Sequence, residues 1–282
     1  DINHFQAAGG TGLLFGELIK AGLMHGDARV GFGGTLEGSC IEPFLEKGEL
    51  RWRPATEKSH DPEVIRSSDK PFASEGGIRL LEGNLGRSLI KSSAVAPERQ
   101  AVTAPAVVIS HQDELKMRFE RGELDRDCVI VARFQGPSAN GMPELHQLMP
   151  TLGVLQDRGY AVALVTDGRL SGASGKVPAA IHVTPEAASG GAIGRIQDGD
   201  IISLSVASGE LAVRVDDATL MARPHPETPN AIGTVGRGLF QVSRGSVTDA
   251  EHGACTLFAE PVIDANPEAT QSHSAAYEHC AS

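Results

Sequence analysis

From about residue 64 the sequence becomes a succession of short apolar runs punctuated by glycine, and this pattern constrains the fold more than any other feature of the chain. Short apolar runs bounded by turn residues read as strands. The pattern predicts strands at 78–81, 94–96, 106–110, 128–134, 161–165, 201–206 and 211–215. IISLSV and LAVRV, joined by ASGE, read as a hairpin. Helices are predicted at 112–121 and at 143–158, the second carrying Leu145, Leu148, Met149, Leu152 and Leu155. The expectation is a β-rich α/β domain of about 200 residues.

A different pattern precedes it. Leu13, Leu14, Leu18, Ile19 and Leu23 recur near helical spacing over 7–24, with Gly22 and Gly26 at the end. Residues 28–63 are turn-rich, and WRPATEKSHDPE reads as a linker or surface loop. The expected division is therefore 1–63 and 64–282. The opening DINHFQAAGGTG has no initiator Met and reads like the middle of a domain, so a fragment or processed chain is expected. The tail after Ile263 is polar and alanine-rich and is expected to be loosely ordered.

Composition narrows the function. The 282 residues include 33 glycines, which favours sites built on loops, and the net charge is −11. An acidic chain is a poor general binder of nucleic acid or acidic membrane, although a local cationic pocket can still hold an anionic substrate. No stretch approaches a membrane span and no signal peptide opens the chain, so a cytoplasmic location is expected. Cys40, Cys128, Cys255 and Cys280 form no close pair of the kind that makes a metal knuckle, and Cys128 reads as a core thiol.

Three glycine-rich segments carry polar groups: Glu75–Ser88, Phe134–Glu144 and Val165–Lys176. The last two follow strand runs directly, where sites are commonly built. The third fails the phosphate-loop spacing, because only two residues separate Gly172 from Gly175. It also lacks the final glycine of a nucleophile elbow. What remains is a polar loop holding Asp167, Arg169, Ser171, Ser174 and Lys176. Asp167-Gly168 also has a plain reading as a turn pair.

TDGRLSGASGKVPAAIHVTPEAASGGAIGRIQDGD resembles a signature stretch of the dihydroxyacid and phosphogluconate dehydratase family. HFQAAGGTGLLFGELIKAGLMHGD, EGGIRLLEGNLGRSLIK and GPSANGMPEL resemble further blocks of that family in the expected order. ARFQGPSANGMPEL and GRGLFQVSRGSVTDAEHGACTLF are closer to its phosphogluconate branch. The resemblance covers about residues 1 to 260. It implies a C-terminal β-barrel-like, swivelling domain preceded by a helical remnant of an N-terminal α/β domain.

The resemblance also implies a hydro-lyase acting on 6-phosphogluconate to give 2-keto-3-deoxy-6-phosphogluconate, with the active site between the two domains. The family's iron–sulfur cluster, of the 4Fe–4S type by expectation, is held by cysteines that lie before this chain begins. The chain alone is therefore expected to be inactive, to need the missing N-terminal domain as partner, and to form a homodimer. Glu144 falls on the glutamate that helps hold Mg²⁺, a role that suits a hard carboxylate. Ser171 falls on the serine proposed to take the C2 proton, which requires activation because a free serine is too weak an acid. Arg169, Lys176 and His182 are the substrate-binding candidates, with Lys176 a candidate for the phosphate. Two alternatives stay open: dehydration of another sugar acid or dihydroxy acid, and a non-catalytic domain for sugar-acid binding or assembly.

Overall fold

The computed structural model describes residues 1–73, 76–171, 175–229, 238 and 240–257. Glu75, Ser174, Cys280 and the tail after Ile263 lie outside them. The chain divides into two compact units, Asp1–Gly76 and Gly77–Ser282.

The first unit contains α1 (Ile2–Ala8), α2 (Gly10–Lys20), β1 (Ile41–Glu46) and β2 (Glu49–Pro54). One helix was expected over 7–24, but Gly9 breaks it with φ 135° and Gly10 follows at φ 62°. Both angles suit glycine far better than any residue with a Cβ. The second helix ends at Lys20 rather than 24, and Gly22 turns left-handed behind it. The turn-rich stretch hides a hairpin, β1 against β2, reversed at Lys47-Gly48 where both φ values are positive. Pro43 inside β1 and its weak alternation masked it. Ile65 packs with Ala8 and Leu13 in a small core.

The second unit runs β3 (Ile78–Gly83), β4 (Gly86–Lys91), β5 (Ala101–Ile109), α3 (Gln112–Glu120), β6 (Cys128–Ala132), α4 (Pro137–Asn140) and α5 (Leu148–Asp157). It continues through β7 (Val162–Thr166), β8 (Ala179–Thr184), β9 (Ile201–Ser205), β10 (Glu210–Val213), α6 (Asp217–Ala222) and α7 (Gln241–Ser246). Its eight strands close into a barrel in the order β10-β3-β4-β8-β7-β6-β5-β9. β5, β6, β7 and β8 are mutually parallel, and β4, β9 and β10 join by antiparallel pairing. The β-rich α/β, barrel-like fold expected from the sequence is the fold found.

Strand periodicity builds two cores. Val129 and Val131 of β6, Ala163 and Val165 of β7, and Val102, Ala104 and Ala106 of β5 belong to one cluster. The alternate residues Cys128, Ile130, Val162, Leu164, Val107 and Ile109 belong to the other. Successive side chains of a strand face opposite ways, so runs apolar at every position must be buried on both faces. The outer face is covered by Leu115 of α3 and by Leu148, Met149, Leu152 and Leu155 around α5. Each such leucine contributes roughly 1.5–3 kcal/mol of burial.

Three sequence expectations change. Residues 94–96 are a turn, in which Val95 N–H donates to Ser92 O. The helix expected from 143 starts at Leu148, because residue 144 makes a bridge to another segment instead. The described part of the glycine-rich stretch before Ser88 is the β3–β4 hairpin. There the Asn84 side chain imitates a peptide, donating to Val213 O and accepting from Val213 N–H, both at 2.9 Å. Gly83 and Gly86 allow this corner to close, since a Cβ on either would strike a carbonyl of β10 or β8.

Candidate functional site

The carboxyl ends of parallel strands point their last peptide groups into the loops that follow, and the sharpest polar cluster of the second unit lies there. Asp167, one residue past β7, is buried. Its Oδ1 accepts from Gln135 N–H at 2.8 Å, and its Oδ2 from Phe134 N–H at 3.1 Å and Ala187 N–H at 2.9 Å. One carboxylate thus ties the ends of β6, β7 and β8. Burial pushes its pKa up to about 6 against the three hydrogen bonds, with Glu186 adding a smaller push in the same direction. The turn reading of Asp167-Gly168 missed this role.

Glu186 is a second clamp that sequence reading missed. Its buried carboxylate accepts from Ser138 Oγ at 2.6 Å, Ser138 N–H at 2.9 Å and Ala139 N–H at 3.2 Å. Gln135 is a third, donating to Ser110 O at 2.8 Å while its Oε1 accepts from Asn140 at 2.9 Å. The signal was present as polar residues within three positions of the strand ends. Nothing in the spacing tells such a clamp from a surface turn residue.

On this platform the structure brings three of the sequence candidates together. Glu144 and Arg169 form a parallel bridge between their segments. Glu144 Oε1 accepts from Ser171 N–H at 2.9 Å, and its Oε2 lies 3.3 Å from Arg169 Nη1. Arg169 Nε donates to Met142 O at 2.7 Å. His182 N–H donates to Gly168 O at 2.9 Å, which sets the imidazole beside the same segment. Phe134, Met142 and His182 all have positive φ without being glycine. Such strain tends to gather where a site is held in one arrangement.

Lys176 sits differently. Its Nζ is held by both oxygens of Asp157 at 2.9 and 2.8 Å. It lines a cavity with Ser171, His146, Met149 and Pro150, but its charge is already answered. For His182, burial lowers the pKa first and the Arg169 charge lowers it further, so the ring is neutral at pH 7. A neutral ring offers hydrogen bonds to substrate hydroxyls and no charge for a phosphate. An NMR titration is expected to place the His182 midpoint below 6.5. Arg169→Gln should move it up only part of the way, because burial remains. A midpoint at or above 6.5 in the parent chain would exclude this environment.

Among the described residues no three His, Cys, Asp or Glu side chains gather as a metal site. Cys40, Cys128 and Cys255 are free and separate, and burial pushes the Cys128 thiol up to about 11 and raises that of Cys40. A cluster ligand must be a thiolate, so the environments of Cys40 and Cys128 oppose the requirement. At the Mg²⁺ candidate, the Glu144 carboxylate is engaged by a guanidinium and an amide. No described helix is long and apolar enough to cross a membrane.

The second unit is a closed mixed barrel with polar loops clamped at the ends of its parallel strands. The chain belongs to the dihydroxy-acid/6-phosphogluconate dehydratase family, matching its C-terminal domain over residues 63–254. It is 56% identical over 260 residues to the phosphogluconate dehydratase of Pseudomonas aeruginosa, covering 91% of this chain and 42% of that protein. It is 55% identical over 262 residues to the phosphogluconate dehydratase of Escherichia coli, covering 92% and 43%. The dihydroxy-acid dehydratase of Acetivibrio thermocellus is 32% identical over 259 residues, covering 88% and 44%. The chain therefore spans less than half the length of these relatives.

Proposed function

We propose that this chain supplies the barrel half of a hydro-lyase site that dehydrates 6-phosphogluconate to 2-dehydro-3-deoxy-6-phosphogluconate, and that it is inactive by itself. The observation that carries the reading is the joining of Glu144, Arg169 and Ser171 in one hydrogen-bonded unit at the carboxyl ends of β6 and β7. Identity near 55% to proteins named phosphogluconate dehydratase supports that substrate over other dihydroxy acids.

In this reading Ser171 takes the proton from C2, Arg169 places positive potential beside the developing enolate, and neutral His182 binds a substrate hydroxyl. The C3 hydroxyl departs as hydroxide and combines with the proton released from Ser171 to leave as water, and the resulting enol tautomerises to the 2-keto product. No described residue is assigned to the leaving hydroxyl. In this reading the iron–sulfur cluster belongs outside this chain, and Glu144, which holds Arg169 and the Ser171 amide through one lone pair on each oxygen, keeps others that would serve Mg²⁺.

The test is a chimera in which this chain replaces the matching part of the Pseudomonas aeruginosa relative. Dehydration of 6-phosphogluconate in preference to gluconate and to branched dihydroxy acids is expected. A folded, cluster-loaded chimera that dehydrates only a different acid would overturn the substrate.

A further inference from the structure

The phosphate candidate suggested by sequence, Lys176, is neutralised by Asp157. A second cavity of about 550 Å³ has the opposite character. It lies beside α4 and α7 and is lined by Arg169 and Arg244, by Asn140, Ser243 and Thr256, and by apolar residues. Among the described residues no carboxylate lines it, although the chain as a whole carries a net charge of −11.

The two guanidiniums have donors to spare. A guanidinium carries five N–H donors and stays protonated. Arg169 commits Nε to Met142 O and one Nη1 hydrogen to Glu144. Its other donors remain for a ligand. The Arg244 guanidinium has no ion pair or hydrogen bond among the described residues. A half-buried, unanswered cation lining the same cavity as a second arginine is an arrangement that a dianion stabilises. A phosphate monoester carries about 1.5–2 negative charges at pH 7 and three acceptor oxygens, and planar guanidiniums match such oxygens in pairs.

We infer that this cavity is a phosphate-monoester subsite, with Arg244 and Arg169 as its cationic walls. The inference rests on the proposed function only for the identity of the phosphate's owner. Arg169 then belongs to both regions, facing Glu144 on one side and the phosphate on the other. That would hold a phosphorylated sugar acid with its far end fixed while its acid end reaches the Ser171 segment.

The test uses the 282-residue chain itself, with calorimetric titration of inorganic phosphate, glycerol phosphate, 6-phosphogluconate and gluconate. The three phosphates are expected to bind. Arg244→Gln should weaken each about 10- to 100-fold, and Arg244→Lys should restore part of the loss, because lysine keeps charge without the fork. Thermal unfolding of each variant shows that the fold is intact. Phosphate affinity unchanged in Arg244→Gln overturns the subsite, as does the absence of binding by all three phosphates. Arg244-dependent binding with no preference for 6-phosphogluconate over glycerol phosphate supports the subsite and counts against the sugar-acid reading.

Discussion

Asp167→Ala is expected to lower the unfolding free energy of the barrel unit by roughly 3–5 kcal/mol at pH 7, one of the largest losses available from a single polar residue. The carboxylate accepts three backbone N–H groups, those of Phe134, Gln135 and Ala187. These residues are buried, so alanine leaves three donors without partners. Each orphaned donor costs about 1–3 kcal/mol, and water entering the vacated space offsets part of that. Asp167→Asn should cost less, about 1–3 kcal/mol, because one oxygen can still serve Phe134 and Ala187 while the amide faces Gln135. Urea unfolding of the three proteins measures this. Losses within about 0.5 kcal/mol of parent would show that the clamp is dispensable.

The same residue gives a pH signature. Its folded pKa is raised from 3.8 to about 6, chiefly by burial. A raised acid binds more protons when folded than unfolded, so its contribution is fully present below 3.8 and is lost as pH rises through 6. The shift is worth on the order of 3 kcal/mol. The stability difference between parent and Asp167→Asn should therefore be larger at pH 5 than at pH 7.5. A difference that is flat or grows toward pH 7.5 would contradict the buried, reluctantly ionised carboxylate.

Most of the barrel was legible because its strands are unusual. CVIVA and VALVT are buried at every position, with Thr166 the one polar residue between them, and a strand buried on both faces must be covered on both. The expected hairpin of IISLSV and LAVRV forms as β9 and β10. β4 and β8 were missed because Arg87, Ser88 and His182 interrupt their apolar positions. Closure of the barrel depends on pairings such as β10 with β3, which are distant in sequence. At the site, the candidates proposed from sequence were those in recognisable motifs: Glu144, Arg169, Ser171, Lys176 and His182. Asp167, Glu186 and Gln135 were not found as clamps, because their role is defined by amide groups of distant loops. Lys176 shows the converse: a lysine in a promising loop carries no available charge when an aspartate of a neighbouring helix reaches it.

In the chimera with the Pseudomonas aeruginosa relative, Ser171→Ala is expected to reduce kcat by about 10²- to 10⁴-fold with little change in KM. The link from this segment to Glu144 runs through the Ser171 backbone N–H at 2.9 Å, which alanine retains. The hydroxyl is therefore removed while the bridge between residues 144 and 169 keeps its anchors. A base that acts only on the C2 proton contributes in the transition state, so its loss appears in kcat. Glu144→Gln provides the contrast. It keeps an oxygen for Ser171 N–H but removes the charge facing Arg169, so it should disturb the position of the whole segment and move kcat and KM together. Ser174, outside the described residues, is the control within the same glycine loop. Steady-state dehydration of 6-phosphogluconate by each variant gives the comparison. Near-normal kcat in Ser171→Ala with loss in Ser174→Ala moves the base to the other serine. Activity in both removes serine from the proton transfer and leaves the Arg169 segment with a positioning role alone.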